Sequence, residues 1–272
     1  MIKTDEYWAG QADGDGCFGF TTTGPAQRYT QVYFSFKTTH EATVRAFHVD
    51  MGVGHCGNAS TPYSIDRGWK PLWRFKTTGE ATAIVVKRLY PYLLEKQVVA
   101  LSTLKYFRQE VPRSLPRTDA YWAGITDAEG CIRLSANNGA KRPEFTVKMT
   151  HEATIREMHQ AMGVGIVYEH RPPSKRQYKT QWIYKAATRQ ACAVLLRLQP
   201  HLLTKAEDAV KVLAYYTHEG KRKDSKLTPD IVRAIRQRYA EGATRATLAK
   251  DYDAHWVTVD DVIKGRSWSW LT

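Results

Sequence analysis

Tyr7-Trp-Ala-Gly-Gln-Ala-Asp-Gly-Asp-Gly-Cys17 returns later in the same chain as Tyr121-Trp-Ala-Gly-Ile-Thr-Asp-Ala-Glu-Gly-Cys131. Each copy ends in a carboxylate, Asp15 or Glu129, set between small residues. The match continues downstream: His40-Glu-Ala-Thr43 with His151-Glu-Ala-Thr154, Met51-Gly-Val-Gly54 with Met162-Gly-Val-Gly165, and Trp73-Arg-Phe-Lys76 with Trp182-Ile-Tyr-Lys185. Tyr90-Pro-Tyr-Leu-Leu-Glu-Lys96 answers Gln199-Pro-His-Leu-Leu-Thr-Lys205. A repeat of roughly a hundred residues is a duplicated domain.

The pattern within one half predicts αββαββα. Thr4 or Thr118 suits an N-cap, and a helix runs to the last carboxylate of the motif. Cys17 to Thr22 and Gln31 to Lys37 alternate as strands, with Phe18, Phe20, Val32, Phe34 and Phe36 toward a core. Ile132, Leu134, Phe145, Val147 and Met149 do the same in the second half. Thr39 and Thr150 are the expected caps of the next helix, which Gly52 or Gly163 ends. Further strands are expected around 69–76 and 178–185. Helices are expected from about Thr78 or Ala187, and then over about 95–108 and 205–219, the prolines Pro91 and Pro200 separating them.

The domains read as 1–110 and 119–219 for the two repeats, 111–118 as a proline-containing linker, 220–226 as a basic linker and 227–272 as a small all-α domain. The fold class is α+β, with tandem pseudo-twofold halves and antiparallel sheets. In the last domain, Thr228 caps a helix with Pro229 in its first turn and Ile231, Ile235 and Tyr239 inward. Residues 245–252 form a second helix, and 255–264 a third with Val259, Val262 and Ile263 inward.

The chain of 272 residues carries 40 basic against 27 acidic side chains, a net charge of +13, which suits a polyanionic partner. No apolar run is long enough to span a bilayer, and the first residues lack a signal-peptide core. The expected setting is intracellular: cytoplasmic, nucleoid-associated or organellar. Cys17, Cys56, Cys131 and Cys192 include no Cys-x-x-Cys pair, arguing against structural zinc or a disulfide framework. Cys17 and Cys131 are expected to be buried packing residues.

A carboxylate at a helix C-terminus opposes the helix dipole by ~0.3–1 kcal/mol unless a cation lies beside it. The spacings Gly10-x-x-x-Gly14 and Gly124-x-x-x-Ala128 let two helices approach closely and bring those ends together. Oxygen ligands of this kind, Asp15 and Glu129 with the carbonyls of Gly14 and Ala128, favour Mg²⁺ or Mn²⁺. Asp13 and Asp127 lie ~200° around the helix and are expected to hold the helices or backbone in place.

The two motifs resemble the paired helices of single-chain LAGLIDADG homing endonucleases, over about residues 4–218. The resemblance implies sheets forming a saddle over duplex DNA and a metal-dependent endonuclease centre, with Asp15 and Glu129 as catalytic metal ligands and Lys96 and Lys205 assisting. The motif's fourth and fifth positions, usually apolar, are Gln11 and Ala12 in one copy and Ile125 and Thr126 in the other. The alternative is a catalytically silent DNA-binding regulator, or an RNA-splicing maturase on the same scaffold. Residues 227–268 are similar to the helix-turn-helix of resolvase-like and repressor proteins.

The outward strand residues are the candidate DNA contacts: Gln31, Tyr33, Ser35, Lys37, Arg74, Lys76, Arg133, Ser135, Asn137, Thr146, Lys148, Lys179, Gln181 and Lys185. In the last domain they are His255, Trp256, Thr258, Lys264 and Arg266. The halves differ at these positions, so an asymmetric double-stranded site bound by a monomer is expected.

Overall fold

The computed structural model describes residues 3–23, 29–137, 140–171, 179–218, 227–268 and 271. The first half runs α1 (Asp5–Asp15), β1 (Gly16–Thr23), β2 (Tyr29–Thr38), α2 (Glu41–Met51), β3 (His55–Asn58), α3 (Pro62–Asp66), β4 (Trp73–Thr78), α4 (Glu80–Leu89), α5 (Gln97–Tyr106). The second runs α6 (Asp119–Glu129), β5 (Gly130–Asn137), β6 (Ala140–Met149), α7 (Glu152–Met162), β7 (Ile166–His170), β8 (Gln181–Ala187), α8 (Arg189–Leu198), α9 (Ala206–His218). Each half holds one antiparallel sheet, in the orders β1-β2-β4-β3 and β5-β6-β8-β7. The chain divides into two compact units, Met1–Val212 and Leu213–Thr272. The expected linker at 220–226 lies outside the described residues.

Strand alternation puts one face of each sheet on its helices. Val32, Phe34 and Phe36 are buried, and Phe34 and Phe36 meet Phe47 of α2 and Phe75 of β4, with Phe47–Phe75 ring centroids 4.6 Å apart. Phe145, Val147 and Met149 are buried in the second half, as are Ile155 and Met158 of α7, which packs on β6 and β8. A buried phenylalanine contributes roughly 1.5–3 kcal/mol, so these faces fix strand register. Phe20 departs from the expectation: it is 42% exposed and sits edge-on to Tyr106. Tyr106 is the last residue of α5, so only the end of that helix reaches this ring.

Several boundaries differ from the sequence reading. The caps of α2 and α7 are His40 and His151 rather than Thr39 and Thr150. Each imidazole Nδ1 pairs with a hydroxyl one turn into the helix, Thr43 at 2.7 Å or Thr154 at 2.8 Å. Strand β4 starts at Trp73 instead of 69, because Thr61 and Ser64 form a reciprocal capping box that folds α3, and the Trp69 amide bonds back to the Ser64 carbonyl. Helices α4 and α8 start after Gly79 and Thr188, whose positive φ of 61° and 52° turns the chain off the strand. Tyr178 and Glu219 lie outside the described residues. Among those described, no helix is long and apolar enough to cross a membrane.

The second unit contains α10 (Pro229–Ala240), α11 (Arg245–Asp251) and α12 (Trp256–Ile263). Thr228 caps α10 as expected. Its buried stripe, however, is Val232 and Ile235, with Tyr239 37% exposed. These pack with Leu227, Leu248, Val259, Val262 and Leu271. The Arg236 guanidinium donates to the carbonyls of Val262 at 3.1 Å and Trp268 at 2.9 Å and to that of Leu271, fastening the chain end to α10.

Candidate functional site

Helices α1 and α6 cross backbone to backbone. A Cβ built on Gly10 would lie 2.1 Å from the Tyr121 carbonyl oxygen, and one on Gly124 would lie 2.0 Å from that of Tyr7. Only glycine permits this approach at both positions. Each helix is buried nearly all round, so its polar groups must find partners across the pair.

The tyrosines and aspartates do so by exchange. The Tyr7 hydroxyl donates to Asp127 Oδ2 and the Tyr121 hydroxyl to Asp13 Oδ2, both at 2.7 Å. Asp13 also accepts the amides of Leu94 at 2.7 Å and Lys96 at 2.9 Å. Asp127 accepts those of Leu203 at 2.6 Å and Lys205 at 2.8 Å. These two aspartates therefore tie the helix pair to the turns carrying the lysines. Tyr121→Phe should lower stability by about 1.5–3 kcal/mol, because a buried charged acceptor loses a donor. Urea denaturation checks this; an unchanged midpoint would contradict it.

Asp15 and Glu129 end the two helices side by side. Burial and the nearby Glu129 charge push the Asp15 carboxyl up to about 6, with Lys205, Lys96 and the Gln11 amide opposing. Burial likewise raises Glu129, and Lys96 opposes it more than Lys205 does. Lysines of both halves thus act on each carboxylate, as expected of one composite site. Gln11, only 2% exposed, donates from Nε2 to Asp15 Oδ2 at 2.8 Å. Ile125 occupies the corresponding place in α6, so this donor serves Asp15 alone.

Lys96 Nζ donates to the carbonyls of Ala12 at 2.9 Å, Gly14 at 3.2 Å and Asp13. Lys205 Nζ donates to that of Asp127. Both ammonium groups sit on helix C-terminal carbonyls, where the dipole favours a cation. Burial lowers the pKa of each. Lysine thus supplies the counter-charge that the opposed carboxylates require.

Sequence reasoning missed the outer fastenings. Lys3 Nζ donates to the carbonyls of His201 at 2.5 Å and Leu202 at 3.0 Å. Arg117 donates to those of Tyr92 and Leu93, both at 2.7 Å, so each half's leading basic residue grips the other half. Arg88 pairs with Asp5 and Arg197 with Asp119, both at 2.6 Å. These residues stand at matched positions of the repeat, the one signal that could have found them.

No protein-family model matches the sequence, and no curated protein matches it either. Solved structures do. The chain is similar to the I-LtrWI LAGLIDADG homing endonuclease bound to target DNA, with a TM-score of 0.59, 11% identity, and 80% of this chain covering 91% of that one. Against the LAGLIDADG meganuclease I-AabMI bound to uncleaved DNA the TM-score is 0.57 at 16% identity, covering 89% and 99%. Meganuclease I-SmaMI bound to uncleaveable DNA gives 0.53 at 11%, covering 97% of each chain. The chain has the LAGLIDADG homing-endonuclease fold.

In this LAGLIDADG fold the predicted contacts lie out of phase with the buried strand residues, except that Lys179 precedes β8 and is on no strand. Lys37 and Arg74 are exposed and directly opposed in the β2–β4 register, with Ser35 opposite Lys76 beside them. Like charges facing each other across strands cost stability, an arrangement that an anionic partner relieves. Gln31, Arg74 and Lys76 line a concavity of about 430 Å³ together with His55 and Asn58 of β3, which sequence reasoning passed over. Tyr33 and Gln181 are half-buried, and Lys148 and Lys179 exposed. Ser135 and Thr146 are half-buried and lie on β5 and β6, opposite Arg142 and Lys185. Asn137 ends β5, its side chain outside the described residues. Arg133 and Lys185 are both ion-paired to Glu144.

Cys17 and Cys131 are exposed, against the expectation of buried packing. Cys17 is out of phase with Phe18 and opposite Ser35, so the pleat turns its thiol outward, 3.6 Å from the Tyr33 hydroxyl.

Within the second unit, His255, Trp256, Thr258, Lys264 and Arg266 are exposed on or beside α12. Asp260 is buried, paired with Arg245 at 3.1 Å, Lys264 at 2.7 Å and Arg266 at 2.5 Å. This carboxylate organises cations instead of projecting toward solvent.

Proposed function

We propose that this protein is a site-specific endonuclease that hydrolyses both strands of duplex DNA with Mg²⁺ or Mn²⁺. The observation that carries the reading is the meeting of Asp15 and Glu129 at two glycine-packed helix ends, with Lys96 and Lys205 seated on the carbonyls beside them. Nothing about packing requires two raised carboxyls there, and a divalent cation relieves both.

Asp15 and Glu129, with the Gly14 and Ala128 carbonyls, would hold the metal. Two carboxylates are a small donor set, and among the described residues no cluster of three or more His, Cys, Asp or Glu side chains forms a metal site. That suits Mg²⁺, which keeps several waters and binds through one or two carboxylates. When bound, the metal supplies an activated water and charge stabilisation for the leaving 3′ oxygen. Lys96 and Lys205 brace the carbonyls at the helix ends and place positive charge beside the scissile phosphates. Gln11 fixes Asp15, while Glu129 has a longer arm and accepts no hydrogen bond among the described residues, so the two strands should be cut at unequal rates.

The cationic sheet faces supply the phosphate and base contacts, with the unmatched residues of the two halves reading an asymmetric site. The three-helix unit acts as a helix-turn-helix with α12 toward DNA, contacting it through His255, Trp256, Thr258, Lys264 and Arg266. The direct test is linearisation, in Mg²⁺, of plasmids from a randomised target library, followed by sequencing of the ends. Binding should also weaken roughly 10³-fold between 50 and 200 mM salt, as about six phosphate contacts require. A flat salt response in a filter-binding titration would remove the case for these surfaces.

A further inference from the structure

One carboxylate stands among the cations on the outward face of the second sheet. Glu144 of β6 lies directly across from Arg133 of β5, and Lys185 of β8 pairs with Thr146, one step diagonal to it. Glu144 Oε1 accepts from Arg133 Nε at 2.9 Å and Nη2 at 2.5 Å, and its Oε2 takes Lys185 Nζ at 2.8 Å. Lys185 and Arg133 hold the Glu144 carboxyl below the usual range. The side chain of Glu144 is 12% exposed, while that of Arg133 is 59% exposed and leads the cluster into solvent. The first half has nothing comparable: Gly19, Tyr33 and Lys76 stand at the matched positions.

A carboxylate facing a polyanion weakens binding unless its charge serves a purpose. Here it grips one edge of the guanidinium, and among the described residues Nη1 makes no hydrogen bond. The far edge, Nη1 with the second hydrogen of Nη2, is left as a planar fork aimed outward. A guanidinium fork held in one orientation matches guanine O6 and N7 in the major groove, whereas a mobile one contacts phosphates at no particular base. We propose that Glu144 is a positioning residue for specificity, fixing Arg133 to read a guanine at one base pair and giving up general phosphate attraction in return. This rests on the DNA-binding reading above.

The test selects binding sites from a randomised duplex library with the full-length wild-type protein, Glu144→Ala and Arg133→Ala, in EDTA so that no cutting intervenes. The wild type should enrich guanine at one position, and Arg133→Ala should lose that preference. Glu144→Ala should weaken it by roughly tenfold. Affinity of Glu144→Ala for random-sequence duplex should rise, with a steeper salt dependence, because a negative charge has gone. A merely structural Glu144 would lower affinity for selected and random duplexes alike, and that result overturns the proposal. So does an unchanged base preference in either variant. If the wild type enriches no sequence, the DNA-binding reading falls and this role falls with it; enrichment unchanged by Glu144→Ala defeats this role alone.

Discussion

Asp15→Asn is expected to abolish plasmid cleavage in Mg²⁺ and, at the same time, to stabilise the metal-free protein. The first effect follows from losing a charged ligand: charge stabilisation by the metal amounts to several kcal/mol, so cleavage should fall by at least ~10²-fold. The second follows from the pKa. Folding raises the Asp15 carboxyl from 3.8 to about 6, so the folded state disfavours its ionised form. The resulting destabilisation is absent below about pH 4, grows as the pH rises to about 6, and is complete above that. Asparagine removes it and still accepts from Gln11. The gain at pH 7 should be about 1–3 kcal/mol, or roughly 2–10 °C in Tm. Thermal melts in EDTA at pH 4 and pH 7 should show the variant's advantage only at the higher pH. A variant that still cuts normally defeats the two-carboxylate mechanism; one that melts below the wild type at pH 7 defeats the electrostatic account.

Gly124→Ala is expected to damage both fold and activity. The new methyl would lie 2.0 Å from the Tyr7 carbonyl oxygen and 2.8 Å from the Gln11 amide nitrogen, and neither backbone atom can swing away. The helices must part. Overpacking of this kind costs about 1–3 kcal/mol, and parting also moves Asp15 and Glu129 and loosens the crossed Tyr7–Asp127 and Tyr121–Asp13 bonds. Gly57→Ala is the control, since nothing lies within 4 Å of a Cβ there. The comparison needs only melting curves and a nicking assay; equal behaviour of the two variants would show that the helix contact is not close enough to matter.

Much of the architecture was legible because local physics repeats at fixed periods. Alternation along β2 gave the buried Val32, Phe34 and Phe36, and the glycine ends of α2 and α7 followed from positive φ at Gly52 and Gly163. What local reasoning lost were competitions decided by distant or out-of-phase neighbours. Phe20 is in phase with the core but meets only the end of α5, at Tyr106, and stays 42% exposed. Cys17 looked apolar by context and is turned out by the pleat.

The sequence by itself determined that this protein contains two copies of one domain, with a carboxylate at each motif's end and a lysine matched downstream. Those facts depend on identity, order and period. Only the tertiary structure decided who meets whom: Tyr7 with Asp127, Lys3 and Arg117 gripping the opposite half, Gln11 serving Asp15 alone, and Glu144 joining Arg133 to Lys185. The reason is physical. A helix or strand pattern fixes which face a side chain occupies, whereas a hydrogen bond needs a donor and an acceptor within about 3 Å. Across the pseudo-twofold axis that distance is set by how closely Gly10 and Gly124 let the helices approach, and no local pattern encodes it.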